Sequence, residues 1–141
     1  MQVKQPVMRH LPKIASLFSG LFISLALLAQ DPSYNVFVPI GKYLAQGNVD
    51  NLSAWFSDNL EISLLSSSNN SSKSQAKQIL KSFFDSHTPR SFEISHTAGK
   101  SNMKYALGTL VAGGERYIVT IFVNYEDETY KIQQIKIDRI Q

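Results

Sequence analysis

The chain has 141 residues, no cysteine and a formal charge of +3. That length suits a single domain, and the missing cysteine excludes disulfides, thiolate metal sites and a lipoprotein-type lipid anchor. The basic excess is confined to one end: Lys4, Arg9 and Lys13 precede the first long apolar run, every acidic residue follows Gln30, and setting aside residues 1–29 leaves eleven basic against eleven acidic side chains. The remainder is near neutral and carries no electrostatic footprint for nucleic acid.

Met1 to Lys13 is polar and positive, Ile14 to Leu28 is apolar with only small interruptions, and Ala29 offers a small residue before Gln30. This is the layout of a cleavable signal peptide over residues 1–29. The apolar run is about 15 residues, short of the roughly 20 that a spanning helix needs. An uncleaved anchor is the competing reading. Pro32 opposes a helix running on past the cleavage point. The expected product starts at Gln30 or Asp31, has no membrane span, and is exported to the periplasm or secreted.

Residues 30–141 then form one domain, large enough for one core. Val36, Phe37, Ile40, Tyr43 and Leu44 recur at helical spacing, and Gly47-Asn48 ends that helix. Asn48 to Phe56 reads as a second short helix capped by Asn48 or Asp50. Asp58-Asn59 reads as a turn, and Leu60, Ile62 and Leu64 alternate as a strand. Ser66 to Ser72 is low-complexity Ser/Asn and reads as a mobile surface loop. Its glycosylation sequons, Asn69-Asn70-Ser71 and Asn70-Ser71-Ser72, are matches common by chance. Ser72 and Gln75 have capping-box spacing, and Ala76, Ile79, Leu80, Phe83 and Phe84 define the clearest helix, which Pro89 stops.

From Ser91 the pattern is strand throughout. Phe92, Ile94 and His96 alternate, then Tyr105 to Val111, then Tyr117 to Val123 with Ile118 and Phe122 on the other face. Gly113-Gly114 signals a tight hairpin, and Glu126-Asp127-Glu128 is a polar turn. Tyr130 and Ile132 fall out of phase with Ile135 and Ile137, a slip at Gln133-Gln134 that a β-bulge repairs. The expected class is α+β, with N-terminal helices packed on a curved antiparallel sheet.

This order of elements resembles the nuclear-transport-factor-2-like, or cystatin-like, fold. Ile40-Gly41-Lys42-Tyr43 through Trp55-Phe56, and Tyr117-Ile118-Val119 through Tyr130-Lys131-Ile132, resemble an uncharacterised domain-of-unknown-function family of short exported bacterial proteins with that fold. The likeness spans about Val36 to Ile140. It implies a curved sheet and helices around a cone-shaped pocket. Some similar proteins are isomerases or dehydratases, and others only bind partners or dimerise through the sheet, so fold alone does not choose an activity.

Candidate chemistry is sparse. His96 shares a phase with Phe92 and Ile94, where a histidine in a pocket serves as an acid or base; a half-exposed strand-end histidine is the plainer reading. Asp85, Ser86 and His87 are too close along one helix to form a triad, and His87 suits the negative helix end. His87 and His96 share no metal-ligand spacing, so no metal and no cofactor is expected. Tyr43, Trp55, Tyr105, Tyr117 and Tyr130 suit either a pocket wall or a core. If there is a pocket, its wall is Trp55, Phe84, His96, Tyr105 and Tyr117. Lys73, Lys77 and Lys81 share a helix face, a basic stripe or simply a solvated side.

The sequence thus points to a non-enzymatic exported domain that binds a small ligand or an envelope protein, with a homodimer through the sheet as a further option. The alternatives are a small isomerase- or hydratase-type enzyme with His96 as general base, and a structural component of the cell envelope.

Overall fold

The structure, a computed structural model, describes residues 34–140. The leader and its cleavage point lie outside the described residues. Helix α1 spans Phe37–Gln46 and places Phe37, Ile40 and Leu44 inward. It stops at Gly47, whose φ of 66° is the left-handed geometry that glycine adopts without a Cβ penalty. Helix α2 is only Val49–Leu52, capped by Asn48, whose side chain accepts the Asn51 amide at 3.1 Å. A 3₁₀ turn over Ser53–Trp55 follows, and strand β1 begins at Phe56. The second helix is therefore shorter than expected.

Strand β1 runs Phe56–Leu64 through Asp58 and Asn59, which the sequence suggested as a turn. The turn signal marks an irregularity: β1 pairs at Phe56 and again from Glu61, with the register shifted between them. Strand β2 is Ser67–Ser72, the segment expected to be a mobile loop. Its low β-propensity is overridden by six consecutive pairs with β1, from Leu64–Ser67 to Asn59–Ser72. The sequence does not announce the hairpin turn, because its two residues, Leu65 and Ser66, hold positive φ (51° and 74°) without glycine or asparagine. Helix α3, Lys73–Ser86, starts with the expected capping box between Ser72 and Gln75.

Strands β3 (Pro89–Gly99), β4 (Met103–Ala112), β5 (Glu115–Glu126) and β6 (Thr129–Arg139) make the expected meander. The six strands lie in the order β2-β1-β6-β5-β4-β3. The sheet is mixed and not purely antiparallel, because β1 and β6 pair in parallel. The bulge sits where the phase slip placed it: Phe122 faces Gln134 and Val123 faces Ile132, leaving Gln133 extra. That keeps Ile132, Ile135 and Ile137 all buried.

Among the described residues, the two longer helices cover one face of the sheet. α1 lies against β3 and β4, and α3 against β1 and β2. Phe83 of α3 meets the Tyr117 ring of β5 edge-on, with centroids 5.6 Å apart. Close approach on this face requires Gly108, since a Cβ there would strike the Phe92 ring and come within 2.7 Å of the Glu93 carbonyl. Gly41, on α1, would meet Phe92 only at 3.4 Å. Urea unfolding is expected to show Gly108→Ala losing about 1–3 kcal/mol through overpacking. Gly41→Ala loses much less in the same assay; equal effects would contradict this packing.

Candidate functional site

The helix side of the sheet is filled. Phe37, Ile40, Leu44, Leu52, Leu80, Phe83 and Phe84 pack against Leu110, Tyr117, Val119, Ile121, Ile135 and Ile137, each of them at most 7% exposed. Some apolar surface stays open on the helix side, at Val38 of α1 and at Ile94, but a contiguous apolar row lies on the other side. Strict alternation along the β4–β5 ladder sends Tyr105, Leu107 and Val111 of β4, and Ile118 and Phe122 of β5, to the outer face. Ile118 is 46% exposed and Met103, at the rim, 49%. Tyr105 joins His96 and Phe122 in an aromatic row, with centroid separations of 6.0 and 5.5 Å.

Next to this apolar half, the outer face of β1 and β6 is polar. Glu61, Ser63, Gln134, Lys136 and Asp138, with Ser66 and Ser68 of the β2 hairpin, line an open depression of about 570 Å³. Two acids and two bases, Lys136 and Arg139, share its wall, and Lys136 lies 3.7 Å from Asp138. An apolar patch beside a charge-balanced polar margin has the anatomy of a protein interface.

The five residues suggested as a pocket wall divide between the two faces. Tyr117 and Phe84 are buried in the helix-side core, and Trp55 packs half-buried against it. His96 and Tyr105 stand on the outer face. The separation arises at a second bulge: Ile94 pairs with Gly108 but His96 with Leu107, so the strand changes phase at Ser95 and turns His96 outward.

The other histidine among the described residues is a helix cap. His87 Nδ1 donates to the Phe83 carbonyl at 2.9 Å, and its ring stacks on Phe83 at 4.3 Å. Lys77 and Lys81 of the basic stripe reach Asp50 at 2.9 and 3.2 Å and so tie α3 to α2. Hydrogen bonds from these two lysines hold the exposed Asp50 carboxyl below its ordinary range. Tyr130 donates to the Ser101 carbonyl at 2.7 Å, and Tyr43 packs against the core. Among the described residues, no group of three His, Asp or Glu side chains is placed to hold a metal ion.

One polar cluster was not anticipated. The Tyr117 hydroxyl donates to Glu115 Oε2 at 2.9 Å, and Arg139 Nε donates to the same oxygen at 3.2 Å. These bonds, Tyr117 first, hold the Glu115 carboxyl below its usual range, while burial and then the Glu115 bond push the Tyr117 phenol up. A raised phenol contributes stability that is intact below the ordinary tyrosine range and lost as pH rises through the folded value. An alkaline absorbance titration should therefore show one of the six tyrosines ionising late. Tyr117→Phe should remove that late fraction; loss of an ordinary fraction would contradict the assignment.

Comparison with known proteins fits this geometry. A structure from Bacteroides uniformis of a DUF4783 family protein is similar at a TM-score of 0.71 and 22% identity, covering 73% of this chain and 95% of that one. A Nostoc punctiforme domain of unknown function with a cystatin-like fold is similar at a TM-score of 0.59 and 14% identity, over 73% and 72%. An NTF2-like protein of unknown function from Cytophaga hutchinsonii is similar at 0.57 and 7%, over 79% and 92%. No curated protein matches at comparable significance. Helices on one face of a curved six-stranded mixed sheet, among the described residues, thus define the NTF2-like, or cystatin-like, α+β fold. Residues 37–138 match the domain of unknown function DUF4783, and the chain belongs to that family.

Proposed function

We propose that this protein is an exported, non-enzymatic interaction domain that engages a protein partner through the outer face of its sheet. The observation that carries the reading is the distribution of apolar surface. The helix-side interior is spent on its own core, whereas on the opposite side Met103 and Ile118 are exposed and Tyr105, Leu107, Val111 and Phe122 are half-buried in one row. Contiguous exposed apolar surface on a small domain marks an interaction site. The partner is a second copy of the chain or another envelope protein; a structural role in the envelope would use the same face. Export rests on the leader pattern of residues 1–29. The alternative of an enzyme with His96 as general base draws no support from the geometry, because His96 is exposed on the outer face and not enclosed.

Photo-cross-linking in the producing cells tests this. A photoreactive residue at Phe122 is expected to yield discrete protein adducts, and the same residue at Lys81, on the helix side, is not. Ile118→Lys should suppress the Phe122 adducts without altering the circular dichroism. Equal adducts from both positions, or none from Phe122, would overturn the reading.

A further inference from the structure

The sheet has two edges, and they are treated differently. β3 begins with Pro89, carries Arg90 and Glu93, and is bulged both between Pro89 and Ser91 and between Ile94 and His96. Proline, charge and bulges are the devices that stop an edge from pairing with another chain. β2 has none of them: Ser67–Ser72 is uncharged, lacks proline and pairs with β1 in unbroken register. Ser67 to Asn70 are exposed.

The direction of the backbone groups follows from two hydrogen bonds. Leu65 N–H donates to the Ile137 carbonyl of β6 at 2.9 Å, so the odd-numbered positions at this end of β1 face β6 and the even ones face β2. Leu60, Ile62 and Leu64 therefore bond to Ser71, Asn69 and Ser67, their register partners. Ser68, Asn70 and Ser72 turn their amides and carbonyls away from the sheet. The Ser72 amide is taken by Gln75 Oε1 at 3.1 Å. Ser68 and Asn70 are left as two adjacent outward-bonding positions, offering about four ladder hydrogen bonds in the antiparallel pattern.

We infer that the free edge of β2 is a docking site for an extended peptide segment, added antiparallel, with a basic residue opposite Ser68. The charge argument comes from Glu61. It lies on β1 opposite Asn70, and its carboxylate accepts a hydrogen bond from the Ser68 hydroxyl, which carries the negative charge out to the edge. Cross-strand neighbours on one face lie about 4.5–5.5 Å apart at Cβ, so a lysine or arginine facing Ser68 reaches that carboxylate. A second copy of the chain is the poorer occupant: pairing β2 with itself would bring a second Glu61 to the same edge. A short peptide is held by main-chain bonds plus such side-chain contacts. The site shares Glu61 and Ser68 with the polar margin of the outer face, where Lys136 and Arg139 also lie, and uses none of the apolar row.

The test uses the chain from Gln30 onward and the capped heptapeptide Thr-Val-Thr-Lys-Thr-Val-Thr, with amide exchange followed by NMR. Saturable slowing of exchange at Ser68 and Asn70 is expected, weaker for the peptide with glutamate in place of lysine. Ser68→Pro should abolish the slowing, because its N–H faces solvent and not β1. If that variant fails to fold, Glu61→Gln serves instead, and is expected to erase the preference for lysine over glutamate. The proposal is overturned if millimolar peptide slows neither amide, if the slowing maps to β3, or if raising protein concentration alone produces it.

Discussion

The extra residue at Gln133 is the constraint on which the sheet depends. β6 is one of the two central strands of this topology, paired antiparallel to β5 on one side and parallel to β1 on the other. Side chains in a strand alternate, so Ile132 and Ile135 cannot both face the helices along a regular strand. The bulge absorbs one residue and returns Ile135 and Ile137 to the phase of Ile132. Val123, Ile121 and Val119 of β5 then line up with them, and a continuous apolar floor receives α1 and α3.

That floor settles which face of the molecule is available. Phe83 and Phe84 from α3, with Phe37, Ile40 and Leu44 from α1, fill the concavity. The interior of this fold is here a core, and the polar groups buried at its margin are satisfied: Lys104, 4% exposed, donates to the Lys100 carbonyl and lies 5.0 Å from the Tyr34 ring centroid. Among the described residues, the helices pack on the other phase of the sheet from these apolar residues of β4 and β5. The same alternation that builds the core leaves that row half-buried to exposed, and the proposed function rests on it.

Much of the fold was legible because its signals are local. Gly47, the Ser72–Gln75 capping box, Gly113-Gly114 and the phase slip at Gln133 each state a backbone requirement within a few residues, and each is met. β2 was not legible. Ser and Asn have no strand preference, and its turn uses Leu65 and Ser66 where glycine or asparagine would have announced it. The parallel β1–β6 pair is a tertiary contact between distant segments, invisible to periodicity. The candidate site was legible only in part. The alternation of Ile118 and Phe122 against Tyr117 and Val119 was plain in the sequence, but which phase the helices cover depends on their packing. His96 illustrates the limit: its apolar phase with Phe92 and Ile94 is interrupted by the bulge at Ser95, which no glycine or proline marks.

The central claim is that this domain acts through its outer face while its interior is occupied by its own side chains. Native mass spectrometry of the protein purified from the cells that make it tests this most directly. The account predicts a dimer or a complex with another protein, with no small molecule retained. A monomer carrying a bound small molecule released only on unfolding would contradict it and return the interior to consideration as a ligand pocket.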